Sequence, residues 1–200
     1  MIEFMQWFFS VLAIYLLFFT FSLCVTAHQS KTVKYFVLIF TAVLIWLPLG
    51  QTPTYWYIRG FVGNLSIGSM MLCSVLILKM LFNINIVNSS SKNLFCYAVF
   101  ISGLFLYPLS LGLSYFDPYI LGFHHFYAEF VIAVIAVITV LKRVYFISIW
   151  LTLSYIFYQF HLFESDNLWD YLIDPVVFLF AMFFSLQAIK NKINKKSYVA

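Results

Sequence analysis

The segment His161–Asp174, HLFESDNLWDYLID, is the longest polar and acidic interruption in a mostly apolar sequence. Long apolar stretches flank it on both sides, so the side of a membrane that it faces fixes the direction of the other segments. It holds four of the seven acidic residues, Glu164, Asp166, Asp170 and Asp174.

The composition predicts an integral membrane protein with the lipid bilayer as its surroundings. Of the 200 residues, 64% are hydrophobic and 9% are charged, whereas soluble domains have about 25% charged residues. The mean hydropathy is +0.98. The net charge of +4 does not indicate a nucleic-acid partner, because the cations lie at the ends of apolar stretches and form no basic stripe among exposed aromatic residues.

Most of the apolar stretches have the lengths of membrane-spanning helices, whereas the second and the last are short and require an extension into the interface or a locally thinner membrane. A hydrocarbon core of about 30 Å needs roughly 17–25 apolar residues per helix, and lipid-exposed backbone must be helical to satisfy its hydrogen bonds. We therefore predict an all-α fold, a seven-helix transmembrane bundle with short loops in a single polytopic domain, residues 1–200. The predicted spans are about 5–25, 35–50, 61–82, 94–113, 118–141, 144–160 and 174–189.

The distribution of charge predicts the orientation of these spans. Lys and Arg concentrate on the cytoplasmic side of membrane proteins, which places the C-terminal lysines inside and, with seven spans, the N-terminus outside. Ten of the eleven cations then lie inside, with Arg59 as the exception, and the acids lie outside, with Glu129 in the outer half of its span. Short loops and these cation counts favour a bacterial inner membrane with a periplasmic outer face.

Two Asp-Pro pairs, Asp117-Pro118 and Asp174-Pro175, are predicted to begin helices at the outer surface. Asp is a good N-cap residue and Pro suits the first helical position. Directly before the second pair, we expect a short interfacial turn or helix over about 166–173. Its apolar face would lie on the membrane surface and consists of Leu168, Trp169, Leu172 and Ile173.

Glu129 is the one acid inside an apolar span. Insertion of the related Asp at a helix centre costs about 2.5–3.5 kcal/mol, so Glu129 should face the bundle interior, be protonated or have a partner. His125 lies four residues earlier, on the same helical face. The pair is a candidate for a catalytic base with its orienting carboxylate, or for two metal ligands, and an interhelical hydrogen bond or ion pair that fixes packing is the alternative.

Arg59, Asp170 and Glu164 are candidate ligand-binding residues on the outer side. Arg59 either pairs with the acidic segment or Glu129, or holds a phosphate of a lipid headgroup or lipid-linked substrate with its planar guanidinium. No cofactor is predicted. A divalent metal at His124, His125 and His161 with the nearby acids is an alternative, although the sequence has no known zinc-binding spacing.

Three functions fit these observations. The leading hypothesis is an accessory or scaffold subunit of a larger membrane assembly in the cell envelope, with another membrane protein as partner. The second is a membrane enzyme that acts at the periplasmic face on a lipid or lipid-linked phosphate, with His125 as base and Arg59 as phosphate clamp. The third is a small transporter or flippase that uses Glu129 as its coupling carboxylate. Whether the chain is an enzyme stays open at this point.

Overall fold

The computed structural model describes residues 2–123 and 126–197, with side chains up to residue 191. The α-helices are α1 (Ile2–Val25), α2 (Lys31–Trp46), α3 (Thr54–Val62), α4 (Ile67–Phe82), α5 (Ser89–Pro108), α6 (Phe126–Leu141), α7 (Tyr145–Gln159), α8 (Leu168–Leu172) and α9 (Pro175–Ser197). Two short strands, β1 (Pro48–Leu49) and β2 (Thr52–Pro53), form an antiparallel hairpin. A π-helical turn, Leu109–Leu113, and a 3₁₀ helix, Pro118–Gly122, follow α5.

Seven of the helices in the described part of the chain have 15 or more residues, and they pack in pairs. α5 lies against α9, α6 against α7, and α1 against both α2 and α4. α4 also contacts α7, α8 and α9. The central core therefore lies between α4, α5, α7 and α9, where Phe95 packs its ring edge against Trp150 at a centroid distance of 5.0 Å. The all-α class predicted from the sequence is confirmed.

Two helical segments of the described chain, Ile2–Val25 and Ser89–Leu113, are long and apolar enough to cross a membrane. The apolar helices α4 and α6 have 16 residues each. At 1.5 Å per residue they rise about 24 Å, less than a hydrocarbon core of about 30 Å. Seven crossings therefore stay a prediction.

Three helices cover only part of the apolar stretches predicted for them, because Gly and Pro interrupt the backbone. α2 ends at Trp46, and the hairpin that follows turns at Gly50 with φ +72°. The stretch from 61 contains the end of α3, then Gly63 with φ +74°, and α4 begins at Ile67. The stretch from 118 begins with the 3₁₀ helix, and α6 begins at Phe126.

The short helix expected near 166–173 is α8, and Asn167 caps it by accepting a hydrogen bond from the Trp169 backbone N–H at 2.9 Å. The expectation that its apolar face lies on the membrane surface is wrong. Leu168, Leu172 and Ile173 are each at most 3% exposed and belong to the protein core. α8 packs on α7 and α4, so its apolar side is covered by protein.

Candidate functional site

One end of the bundle, which we call the polar end, is formed by residues 2–10, 54–66, 114–122 and 161–174. Gln6 of α1 donates a hydrogen bond to the His161 carbonyl at 2.9 Å. Asn167 donates to the Tyr119 carbonyl at 2.9 Å. These contacts join segments that are far apart in the sequence, so the acidic segment 161–174 is built into the fold.

Arg59 pairs with Glu164 of the acidic segment. Its guanidinium also lies 5.6 Å from the centroid of the Trp56 ring. The Arg59 side chain is 13% exposed, whereas that of Glu164 is 61% exposed. The pair links α3 to the acidic segment, and a phosphate would have to displace Glu164 in order to use both edges of the guanidinium.

Glu129 accepts two hydrogen bonds from α7. The Tyr155 hydroxyl and the Gln159 side-chain amide both donate to its Oε2 atom at 3.2 Å. Tyr155 and Gln159 lie four residues apart and share a helical face, so Glu129 joins α6 to α7. His125, the predicted catalytic partner of Glu129, lies outside the described residues.

Asp174 is buried and joins the first turns of two helices. Its Oδ1 atom accepts from the Val177 backbone N–H at 2.8 Å and thereby caps α9, as predicted for the Asp-Pro pair. Its Oδ2 atom accepts from the Ser66 backbone N–H at 2.6 Å. Ser66 is itself the N-cap residue of α4, so one carboxylate fixes the positions of both helix starts.

Asp170 lies between the acidic segment and the 3₁₀ helix. Its Oδ2 atom accepts from the Tyr119 hydroxyl at 2.9 Å and from the Ser165 hydroxyl at 2.5 Å. Burial raises the pKa of Tyr119, and the negative charge of Asp170 raises that pKa further. The Tyr119 hydroxyl is therefore a hydrogen-bond donor to this carboxylate at neutral pH.

Tyr171 holds the acidic segment in its folded shape. Its ring stacks on Phe163 at a centroid distance of 4.8 Å, and its hydroxyl donates to the Ser165 carbonyl at 2.9 Å. Burial raises the pKa of Tyr171 to about 12. The segment thus folds around its own aromatic core.

A half-open cavity of about 540 Å³ lies at the polar end, between α5, the 3₁₀ helix and the acidic segment. Its apolar wall includes Leu106 and Ile173. Its polar wall carries two carboxylates, four hydroxyl groups and one amide, from Asp170, Asp174, Tyr107, Ser110, Tyr119, Ser165 and Asn64. Sequence reasoning singled out Asp170 but missed Tyr107 and Ser110, since isolated hydroxyls in an apolar helix form no recognisable pattern.

The candidate residues do not gather at one point. Asp170 lines the cavity, Glu164 holds Arg59, and Glu129 contacts α7. The structure describes no group of three or more His, Cys, Asp or Glu side chains that could hold a metal ion. The metal hypothesis also involves His124 and His125, which lie outside the described residues, while His161 approaches Asp166 at 3.4 Å between Nδ1 and Oδ1.

Comparisons of the chain with models of protein families, with curated proteins and with solved structures give no match.

Proposed function

We propose that this chain is a multi-pass protein of a bacterial inner membrane, in which the seven long helices cross the bilayer and the polar end faces the periplasm. Support comes from the opposite end of the bundle, where the cationic loops lie together. Lys92 lies 4.8 Å from the Phe184 ring centroid there. Arg143 of the α6–α7 loop and Asn88 of the α4–α5 loop line the same small cavity. With this orientation the cationic loops face the cytoplasm, as the positive-inside rule requires.

The surface of α6 supports a lipid environment. Within its 16 residues Ile132 alone is buried, and Phe126, Phe130 and Leu141 are exposed. A continuous apolar surface of this kind is rare on soluble monomers. The bilayer would become thinner around the 16-residue helices, which are shorter than an average hydrocarbon core.

Within this membrane protein we propose the role of an accessory subunit of a larger envelope assembly. The observation that carries the proposal is that Arg59, Glu129 and Asp174 all make structural contacts: Arg59 with Glu164, Glu129 with α7, and Asp174 with two helix starts. A phosphate clamp or a general base needs a group that is available to substrate. These contacts favour a scaffold over an enzyme that acts on a lipid-linked phosphate.

The partner would dock at the exposed carboxylates of the acidic segment. The Glu164 and Asp166 side chains are 61% and 69% exposed, whereas Leu168, Tyr171 and Leu172 of the same segment are buried. The segment is therefore anchored by its buried residues and carries the carboxylates of Glu164 and Asp166 on an exposed rim. This exposed rim suits a partner with a basic periplasmic surface.

The test is native mass spectrometry of the protein taken from its own membrane in mild detergent. We expect a stoichiometric complex with a second polypeptide, and reduced recovery of that polypeptide with Asp166→Lys. Glu3→Lys is the matched control, since Glu3 is also an exposed acid at the polar end. A monomer in every mild detergent, or equal losses with both variants, would contradict the accessory role.

A further inference from the structure

The cavity at the polar end has polar atoms that the fold does not use. Tyr107 Oη and Ser110 Oγ are both buried and have no hydrogen-bond partner among the described residues. Buried hydroxyls are nearly always hydrogen-bonded. Tyr107 lies in α5 and Ser110 in the π-helical turn directly after it, and both residues line the cavity.

Asp170 on the opposite wall also has capacity left. Its Oδ2 atom accepts from Tyr119 and Ser165, while its Oδ1 atom accepts no hydrogen bond from the residues that the structure describes. An ionised carboxylate oxygen is an acceptor only. The free acceptors of the cavity are thus one carboxylate oxygen and two hydroxyl oxygens.

The charge of the cavity wall is negative. Asp170 and Asp174 both line it, and none of its described lining residues is Lys, Arg or His. Arg59, the one cation of the polar end in the described chain, pairs with Glu164 instead. An anionic ligand such as a phosphate would meet two carboxylates without a compensating cation, so the cavity selects against it.

The remaining wall is apolar and includes Leu106, Leu111, Phe163 and Ile173. The volume of about 540 Å³ falls within the range of about 300–1,000 Å³ for small-molecule sites. A bare metal ion would leave most of this wall without contact. The cavity fits a ligand with a small cationic donor group and a hydrocarbon body.

From these features we infer that the cavity binds an organic ammonium ion. Its –NH₃⁺ group has three donors, which match Asp170 Oδ1, Tyr107 Oη and Ser110 Oγ, and its hydrocarbon part packs on the apolar wall. The ammonium belongs either to a free amine or to the headgroup of an aminophospholipid. This site is independent of the accessory role, because docking on the exposed rim uses other residues.

The first test measures binding of hexylammonium to the purified full chain in phosphatidylcholine nanodiscs, with empty nanodiscs as the blank, by isothermal titration calorimetry at pH 7. Hexanol is the neutral control, and we expect it to bind at least tenfold more weakly. Tyr107→Phe and Ser110→Ala should each weaken hexylammonium binding severalfold while thermal stability is unchanged, since neither hydroxyl has a partner to lose.

Asp170→Asn should weaken binding at least tenfold, and Asp166→Asn is its matched control, an acid of the same segment outside the cavity. Equal affinity for hexylammonium and hexanol, or unchanged affinity in both Tyr107→Phe and Ser110→Ala, would overturn the inference.

A second measurement distinguishes the two sources of the ammonium group. Native mass spectrometry from nanodiscs that contain phosphatidylethanolamine and phosphatidylcholine would show one retained phosphatidylethanolamine, lost in Asp170→Asn, if the ligand is a lipid. Phosphatidylcholine has no N–H donor and should not be retained. Hexylammonium binding without lipid retention would assign the site to a free amine. Selective retention of phosphatidylglycerol would refute a cation site.

Discussion

Asp174 is expected to be the acid whose replacement costs the most stability. Asp174 is 6% exposed, and its carboxylate accepts two hydrogen bonds from backbone N–H groups, of Ser66 at 2.6 Å and of Val177 at 2.8 Å. A hydrogen bond to a charged group contributes about 1.5–3 kcal/mol. In Asp174→Asn one carboxylate oxygen becomes an NH₂ group, which faces a backbone N–H as donor against donor.

The expected loss follows from these contacts. One charged hydrogen bond is lost, at about 1.5–3 kcal/mol, and the negative charge at the start of α9 is lost, at about 0.3–1 kcal/mol. The free energy of unfolding should therefore fall by about 2–4 kcal/mol for Asp174→Asn. Equilibrium unfolding in mixed micelles with increasing dodecyl sulfate, followed by tryptophan fluorescence, measures this difference.

Asp117→Asn is the matched control, because Asp117 also precedes a proline and caps a helix. It accepts one hydrogen bond, from the Tyr119 backbone N–H at 2.9 Å, at the start of a five-residue 3₁₀ helix. Asn and Asp are nearly equal as N-cap residues, so the loss should stay below about 0.5 kcal/mol. Similar losses for the two variants would refute the claim that Asp174 holds two helix starts together.

Three further predictions concern the polar contacts. Glu164→Arg should lower the unfolding midpoint in the same unfolding assay, by about 0–1 kcal/mol in stability because Glu164 is exposed. The charge swap Arg59→Glu/Glu164→Arg should recover part of this loss. No recovery would contradict a structural ion pair. Glu129→Gln keeps an acceptor oxygen for Tyr155 and Gln159, so the abundance of the protein in the membrane should be unchanged. Glu129→Leu has no acceptor and should lower that abundance in quantitative immunoblots. Equal abundance of the two variants would argue against the α6–α7 link. Burial raises the pKa of Tyr171 from 10.0 to about 12, so the folded state favours the neutral phenol and its stability should fall as pH rises from about 10 to 12. In an ultraviolet titration, Tyr171→Phe should remove one tyrosine ionisation at high pH. An unchanged titration would contradict the raised pKa of Tyr171.

Charge and helix-capping chemistry in the sequence predicted several contacts of the polar end. The Asp-Pro pairs identified Asp117 and Asp174 as caps, because that dipeptide has a strong local preference. Arg59 was expected to pair with the acidic segment or Glu129, and the structure selects Glu164. Because Arg59 is the one cation predicted on the outer side, the sequence limits its possible partners to the few acids on that side. The tertiary structure is needed to identify which acid it contacts.

The packing of α8 could not be predicted from the sequence. Its apolar residues suit a membrane surface and a protein core equally well, and the choice depends on whether α4 and α7 leave space for them. The cavity residues Tyr107 and Ser110 could not be predicted from the sequence for a similar reason. A hydroxyl in an apolar helix becomes informative only when its neighbours leave it without a partner.

Cysteine labelling in intact cells is the most direct test of the proposed orientation in the membrane. In a chain with Cys24, Cys73 and Cys96 replaced by Ala, one cysteine is introduced at Asp166 and, separately, another at Lys142. A membrane-impermeant maleimide should label position 166 from outside, and position 142 only after the inner membrane is permeabilised. Labelling of both positions from the same side would contradict seven crossings with a periplasmic polar end.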